Sequence, residues 1–250
     1  MLTIWLYTLI SVLIISAISL IGIFTLSIKT EKLTKGLIYT IAFSAGTLLG
    51  DAFIHLIPEA VEESGFNLLI SSYILTGIGF SFVVEKIIHW RHCHHPTTKT
   101  HPHPLTAMNL VGDSIHNFID GIIIAASYLI SIPIGIATTI AVVFHEIPQE
   151  ISDFGVLIYG GYSKNKALLM NFLIALTAVI GAVITLIIGM QSESLIIFLI
   201  PFAAGNFIYI ATADLIPELH KSVALKQSLL QLILFIIGIL VMAALLWLEI

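Results

Sequence analysis

Cysteine is almost missing from this chain of 250 residues: Cys93 stands alone, so no intramolecular disulfide can form. Charge is scarce too, at 10% of residues where a soluble domain of this length carries about a quarter, and water is therefore not the main solvent. No phosphate-binding loop is written anywhere, which removes nucleotide hydrolysis as an energy source. No basic stretch with interleaved aromatics occurs, which removes nucleic acid as a partner. Strand-like alternation of apolar and polar residues is lacking as well, so a membrane β-barrel is excluded.

What is there is 58% hydrophobic residues and a mean hydropathy of +1.07. A helix needs about 20 mostly apolar residues to cross a bilayer. Eight such runs fit the sequence, at 2–28, 36–60, 67–90, 106–130, 133–160, 165–190, 195–219 and 226–249. The expectation is an all-α polytopic membrane protein in which residues 1–250 form a single transmembrane domain. The first run has no basic leader or small-residue cleavage site and reads as a retained helix. The ten Lys and Arg residues fall after or at the end of the first, third, fifth and seventh runs, all on one side if the helices alternate, so the positive-inside rule puts both termini outside. Glu59, Glu62 and Glu63 then form an acidic outer mouth that concentrates cations. The expected location is the plasma membrane or a bacterial or archaeal cytoplasmic membrane.

Residues 43–59, FSAGTLLGDAFIHLIPE, align without gaps on residues 202–218, FAAGNFIYIATADLIPE. Phe43/Phe202, Ala45/Ala204, Gly46/Gly205, Ala52/Ala211, Leu56/Leu215, Ile57/Ile216, Pro58/Pro217 and Glu59/Glu218 are identical. On the topology above, the second run travels outward and the seventh inward, so the repeat is inverted, a common construction among secondary transporters. His55 and Glu59 are pathway candidates near the outer face, and Asp214 and Glu218 near the inner one. The plainer alternative is that Pro and Glu only terminate each helix at the interface.

Ionisable residues inside a membrane helix are costly and usually mark a pathway. The fourth run carries Asp113, His116, Asn117 and Asp120 at helical spacings of three and four. The fifth carries His145, Glu146, Gln149, Glu150 and Asp153. At about 1.5 Å per residue, His116 and His145 lie roughly 15–18 Å from the nearest helix ends, close to the midplane. Pro148 removes a backbone hydrogen bond and releases the Phe144 carbonyl, which predicts a bend where the donors gather. Imidazole nitrogens mixed with carboxylate and amide oxygens suit a borderline divalent ion such as zinc, iron or manganese.

The segments His116-Asn117-Phe118-Ile119-Asp120-Gly121 and His145-Glu146-Ile147-Pro148-Gln149-Glu150 resemble those of the ZIP family of zinc and iron transporters, and the resemblance covers the whole chain. It implies inverted repeats of helices one to three and six to eight around helices four and five. It also implies a homodimer, and elevator-like alternating access that moves divalent metal, zinc first, toward the cytoplasm. Zn2+ is thus an expected substrate, with iron, manganese and cadmium as competitors. By resemblance the site holds His116, Asn117, Asp120, Glu146 and Gln149, with His145 and Glu150 nearby, as a single or binuclear-like centre. Three positions depart from the family: Gln149 stands where His or Glu is usual, Asp120 where many bacterial members have Glu, and helix six offers Asn171 but no carboxylate.

A histidine-rich stretch, His92, His94, His95, His101 and His103 with Cys93 among them, follows the third run. The expectation for residues 91–104 is a cytoplasmic loop acting as a weak metal buffer or sensor. Two rival functions carry sequence features of their own. The His145-Glu146 pair opens like the His-Glu-x-x-His signature of zinc hydrolases, but Gln149 in the fifth position and Pro148 break it, so no enzyme is expected. A proton relay through Asp113, His116 and Glu150 would have no use for the amides Asn117 and Gln149.

Overall fold

With no water in a bilayer core to satisfy peptide groups, each apolar run must close its own hydrogen bonds. The computed structural model describes residues 2–22, 30–90, 104–159, 161–189, 191–221 and 224–248. Among the described residues, the runs form eight helices. They are α1 (Leu2–Ile18, with a 3-10 turn at Ser19–Ile21), α2 (30–64), α3 (Leu68–Trp90), α4 (Pro104–Ile130), α5 (Ile132–Tyr159), α6 (164–189, in two segments that meet at Leu176), α7 (193–219) and α8 (Leu225–Leu245). Helix α2 starts earlier and ends later than its hydropathy suggested. Its last turn stops at Gly65, whose φ of +73° is costly for a residue with a Cβ.

Seven helices are long and apolar enough to span a membrane: all but α4 among the described residues. Helix α4 is the one interrupted by Asp113, His116, Asn117 and Asp120, and those residues are what lower its hydropathy. The protein is therefore a polytopic α-helical membrane protein. In the apolar windows of α2 and α7, 61% and 67% of residues are buried, against 11% and 17% for α3 and α8. Helices α3 and α8 thus offer their sides to lipid, while α2, α7 and the half-buried α5 form the interior.

Packing follows small residues. Helix α2 lies along α8, α3 along α7, and α4 along both α5 and α6. A Cβ on Gly46 would overlap the Phe235 carbonyl, and one on Gly238 the Phe43 carbonyl. The α3/α7 pair has the same arrangement, with Gly77 against the Phe202 carbonyl and Gly205 against the Ile74 carbonyl. Gly121 and Gly181 do the same for α4 and α6, against the carbonyls of Ala178 and Phe118. In a membrane, where lipid is as apolar as leucine, such close backbone approach is a main source of helix association.

The two aligned segments also share a local irregularity. A π-helical turn spans Asp51–Leu56 in α2 and another spans Ile210–Leu215 in α7, each holding the aligned Ala and Leu pairs and each followed by the aligned proline. A proline ring clashes with the carbonyl four residues back, here Ile54 and Ala213, and a widened turn relieves that clash. The prolines therefore do not end these helices, which continue as Ile57–Ser64 and Ile216–Leu219.

Candidate metal centre

A single residue, Ser131, separates α4 from α5, so the two form an antiparallel hairpin that brings their polar stripes together. His116 and Asp120 sit one turn apart on α4, and His145 and Glu146 are adjacent on α5. The Nε2 atoms of the two histidines are 3.1 Å apart. His145 Nε2 lies 3.1 Å from Asp120 Oδ2 and 3.5 Å from Glu146 Oε1. His116 Nε2 lies 3.6 Å from Asp120 Oδ2 and 3.4 Å from Glu146 Oε1. One donor atom from each of the four residues falls within 4.8 Å of all the others.

These spacings have a direct chemical reading. Ligands about 2.0–2.1 Å from a tetrahedral ion stand about 3.3–3.4 Å from one another. The separations of 3.1–3.6 Å bracket that value. Both carboxylate oxygens of Asp120 and both of Glu146 are buried and accept no hydrogen bond among the described residues. Buried carboxylates without hydrogen bonds are costly, and a cation held between them and two imidazole nitrogens offsets that cost. His116 is 21% exposed, whereas the other three side chains are at most 1% exposed.

The remaining sequence candidates divide. Asn117 and Gln149 donate their amides to Asp113 Oδ1 over 2.8 Å and 3.4 Å, and the Asn117 amide oxygen is buried without a hydrogen-bond partner among the described residues. Glu150 accepts from Asn171 of α6 at 3.0 Å. Asp113, Glu150 and Asp153 are buried near enough to repel one another electrostatically. They form a second polar cluster beside the first, in which amides occupy one oxygen each of Asp113 and Glu150 while, among the described residues, Asp113 Oδ2 and Glu150 Oε1 stay buried without a hydrogen bond.

Of the pathway candidates, His55 is buried and its Nε2 donates to the Met242 carbonyl at 3.0 Å, tying α2 to α8 rather than facing the centre. Glu218 pairs with Lys221 at 2.5 Å on an exposed turn, as a helix-terminating residue would. Glu59 is half-buried near the end of α2. Asp214 lines a cavity that also touches His116. His92, His94, His95, His101 and His103 lie outside the described residues.

Residues the sequence reading passed over line the same cavity: Ser81 and Glu85 on α3, Asn206 and Tyr209 on α7. The available signal was Glu85, the sole acidic residue of α3, which invites the question of what faces it. Helix α5 runs unbroken through Pro148, and Ser44 of α2 donates to the released Phe144 carbonyl at 2.6 Å.

The model of the family described as ZIP Zinc transporter matches residues 2–107 and 103–246. Zinc transporter zipt-7.2 of Caenorhabditis elegans is 30% identical over 95% of this chain, which spans 64% of that relative's length. Zinc transporter ZIP13 of Danio rerio is 30% identical over 92% of the chain and 84% of its own length. Zinc transporter SLC39A7 of Homo sapiens is 28% identical over 99% of the chain and 72% of its own length. These relatives are transporters rather than enzymes, in keeping with the broken hydrolase signature. On the extent of the family match and on the donor set held by α4 and α5, the chain belongs to the ZIP zinc transporter family.

Proposed function

We propose that the protein carries divalent transition-metal ions, zinc foremost, across a membrane toward the cytoplasm, and that His116, Asp120, His145 and Glu146 hold the ion midway. The observation that carries this reading is the geometry of the four donors. Asp120, His145 and Glu146 are buried and His116 is 21% exposed, the four are spaced like the edges of a tetrahedral ligand set, and the carboxylates accept no hydrogen bond among the described residues. Two negative charges compensate a dication, and the absence of thiolate keeps the site open enough to release its cargo.

The arrangement of the rest supports alternating access. Helices α2, α3, α7 and α8 pair through glycines, and α4 and α6 pair in the same way. Two such bodies can slide past one another with the ion carried on one of them. The aligned π turns and glycine contacts of α2 and α7 support an inverted repeat about the α4–α5 hairpin, with both termini outside. The histidine-rich segment 91–104 then serves as a cytoplasmic metal buffer, and its deletion leaves transport largely intact while changing the response to cytosolic metal.

The test is uptake of radioactive zinc into proteoliposomes that hold the wild type, His116→Ala or Asp120→Ala protein, with cold iron, manganese and cadmium as competitors. Saturable uptake abolished by both substitutions, in protein that still folds and inserts, is the expected result. Uptake indifferent to both would sink the assignment, and proton movement without metal uptake would favour a relay through Asp113, His116 and Glu150.

A further inference from the structure

Proline at position 148 leaves the Phe144 carbonyl of α5 without the N–H that would close its helical hydrogen bond, one residue before the ligand His145. The missing donor comes from another helix. Ser44 of α2 is fully buried, with its Oγ 2.6 Å from that carbonyl and 2.8 Å from the carbonyl of Thr40 in its own helix. It has one proton to give. The Thr40 carbonyl already takes the backbone N–H one turn on, whereas Phe144 has lost that donor, so the proton is worth more to Phe144. The Phe43 ring also meets the Phe144 ring edge-on at 4.5 Å, and α2 therefore grips residue 144 by backbone and side chain together.

Behind the grip, α2 is itself held. A Cβ on Gly238 of α8 would come within 2.4 Å of the Phe43 carbonyl, and one on Gly46 would overlap the Phe235 carbonyl, so the Phe43–Ser44 step is packed on the α8 backbone. Ahead of the grip, His145 has weak local support for its ring. Its Nδ1 is 3.4 Å from the Ala141 carbonyl, longer than an ordinary N–H···O bond, and the Phe207 ring stands 6.2 Å away. A metal-ligating imidazole normally has its second nitrogen held by a firm acceptor. Here the stronger restraint acts on the neighbouring backbone.

We propose that Ser44 is a positioning residue for the metal centre: by completing the Phe144 carbonyl it fixes the backbone from which His145 reaches the ion, and it does so only while α2 and α5 keep this register. The proposal rests on the transport reading above and ties affinity to the movement that reading needs. The bond from His55 to the Met242 carbonyl stays within the set α2, α3, α7 and α8, and the bond from Asn171 to Glu150 holds α5 to α6 in the other set. The Ser44 bond crosses between the sets. When they slide, Phe144 loses its donor and His145 its restraint, so the grip on the ion weakens as the ion is carried away from α2.

A double-mutant cycle tests this, because Pro148→Ala restores an N–H for the Phe144 carbonyl and makes the Ser44 hydroxyl redundant. Zinc affinity is read by isothermal titration of the purified protein. Ser44→Ala should weaken it about 10-fold in the Pro148 protein and less than about twofold in the Pro148→Ala protein. Ser44→Cys fills nearly the same space with a weaker donor and should fall between Ser44→Ala and the wild type. In proteoliposomes Ser44→Ala should raise the half-saturating zinc concentration about fivefold and leave the maximal rate within about twofold of the wild type, since the bond is not made throughout the cycle. An equal loss in both backgrounds overturns the proposal, as does full affinity in Ser44→Ala, or a lowered maximal rate with an unchanged half-saturating concentration. Wild-type protein that binds no zinc at all would remove the metal-centre assignment instead, so the two failures are told apart.

Discussion

Two polar clusters lie side by side between α4, α5 and α6, and among the described residues they differ in how far amides satisfy their buried carboxylates: not at all at Asp120 and Glu146, and at one oxygen each of Asp113 and Glu150. In the first, Asp120 and Glu146 face His116 and His145, and one donor atom of each of the four can turn a lone pair on a common point. In the second, Asp113 accepts from Asn117 and Gln149, and Glu150 accepts from Asn171. An amide N–H that occupies a carboxylate oxygen offsets desolvation but removes that oxygen's availability to a metal. The contrast teaches that the number of acidic side chains in a membrane helix does not measure its metal-binding capacity. What counts is whether their neighbours donate protons or lone pairs.

If this division is right, substitutions should fall into two grades. The largest effect belongs to the first cluster. Glu146→Ala, like the substitutions of His116 and Asp120, removes a ligand and leaves two imidazoles with a single carboxylate. Zinc uptake into proteoliposomes should fall by about 100-fold or more, since supporting residues alone are worth about 10–100-fold in metal affinity. The comparison breaks if Glu146→Ala transports as well as any variant of the second cluster.

Next comes Asn117, which touches both regimes. It lies beside His116 in sequence and gives its amide to Asp113 over 2.8 Å. Asn117→Ala leaves Asp113 with the longer bond from Gln149 and loosens the turn that aims His116. Zinc affinity, measured by isothermal titration of the purified protein, should weaken about 10-fold, the lower end of the range for a supporting residue. Gln149 is the sharper probe, because its bond to Asp113 is 3.4 Å long and contributes little. Gln149→Ala should cost less than about threefold in affinity. Gln149→His, by restoring the type of donor common at this position in the family, tests whether the second cluster can be converted to bind metal. A second equivalent of zinc in the same titration would show that amide chemistry alone had kept it from doing so.

Much of this architecture is legible in the sequence because it follows from hydropathy and period. Apolar runs of helix length fixed the number of helices, and the three- and four-residue spacing of His116, Asn117 and Asp120 placed them on one stripe of α4. Position on a stripe does not say which neighbour a side chain meets, however. Asp120 and Asp113 both lie on that face of α4, each with a partner four residues away on the same helix, and only the opposing helix adds His145 to the one and Gln149 to the other. The aligned Pro58 and Pro217 read naturally as helix ends, since a proline clash is usually relieved by stopping. The structure relieves it by widening the preceding turn instead, which no local pattern reveals. Glu85 and Tyr209 escaped notice for a related reason: each is isolated in its own apolar helix, and only the packing of α3 against α7 joins them.

Asn171 marks the outer limit of the second cluster and should have the smallest effect on transport. It belongs to α6, its amide donates to Glu150 Oε2 at 3.0 Å, and neither residue reaches the four-donor group. Because the bond ties α6 to α5 through a buried carboxylate, removing it leaves that carboxylate short of a donor, a loss of about 1–3 kcal/mol. Asn171→Ala should therefore lower the thermal midpoint of the detergent-solubilised protein while leaving zinc affinity within about twofold, well short of the loss expected for a ligand's supporting residue. Asn171→Asp separates the alternatives further, since it replaces a donor with a fourth carboxylate in the cluster of Asp113, Glu150 and Asp153. If the second cluster is only a brace, this change destabilises the protein more than alanine does. If instead it binds zinc, added zinc should restore the lost stability in Asn171→Asp and not in Asn171→Ala, and the two clusters would then differ in occupancy rather than in kind.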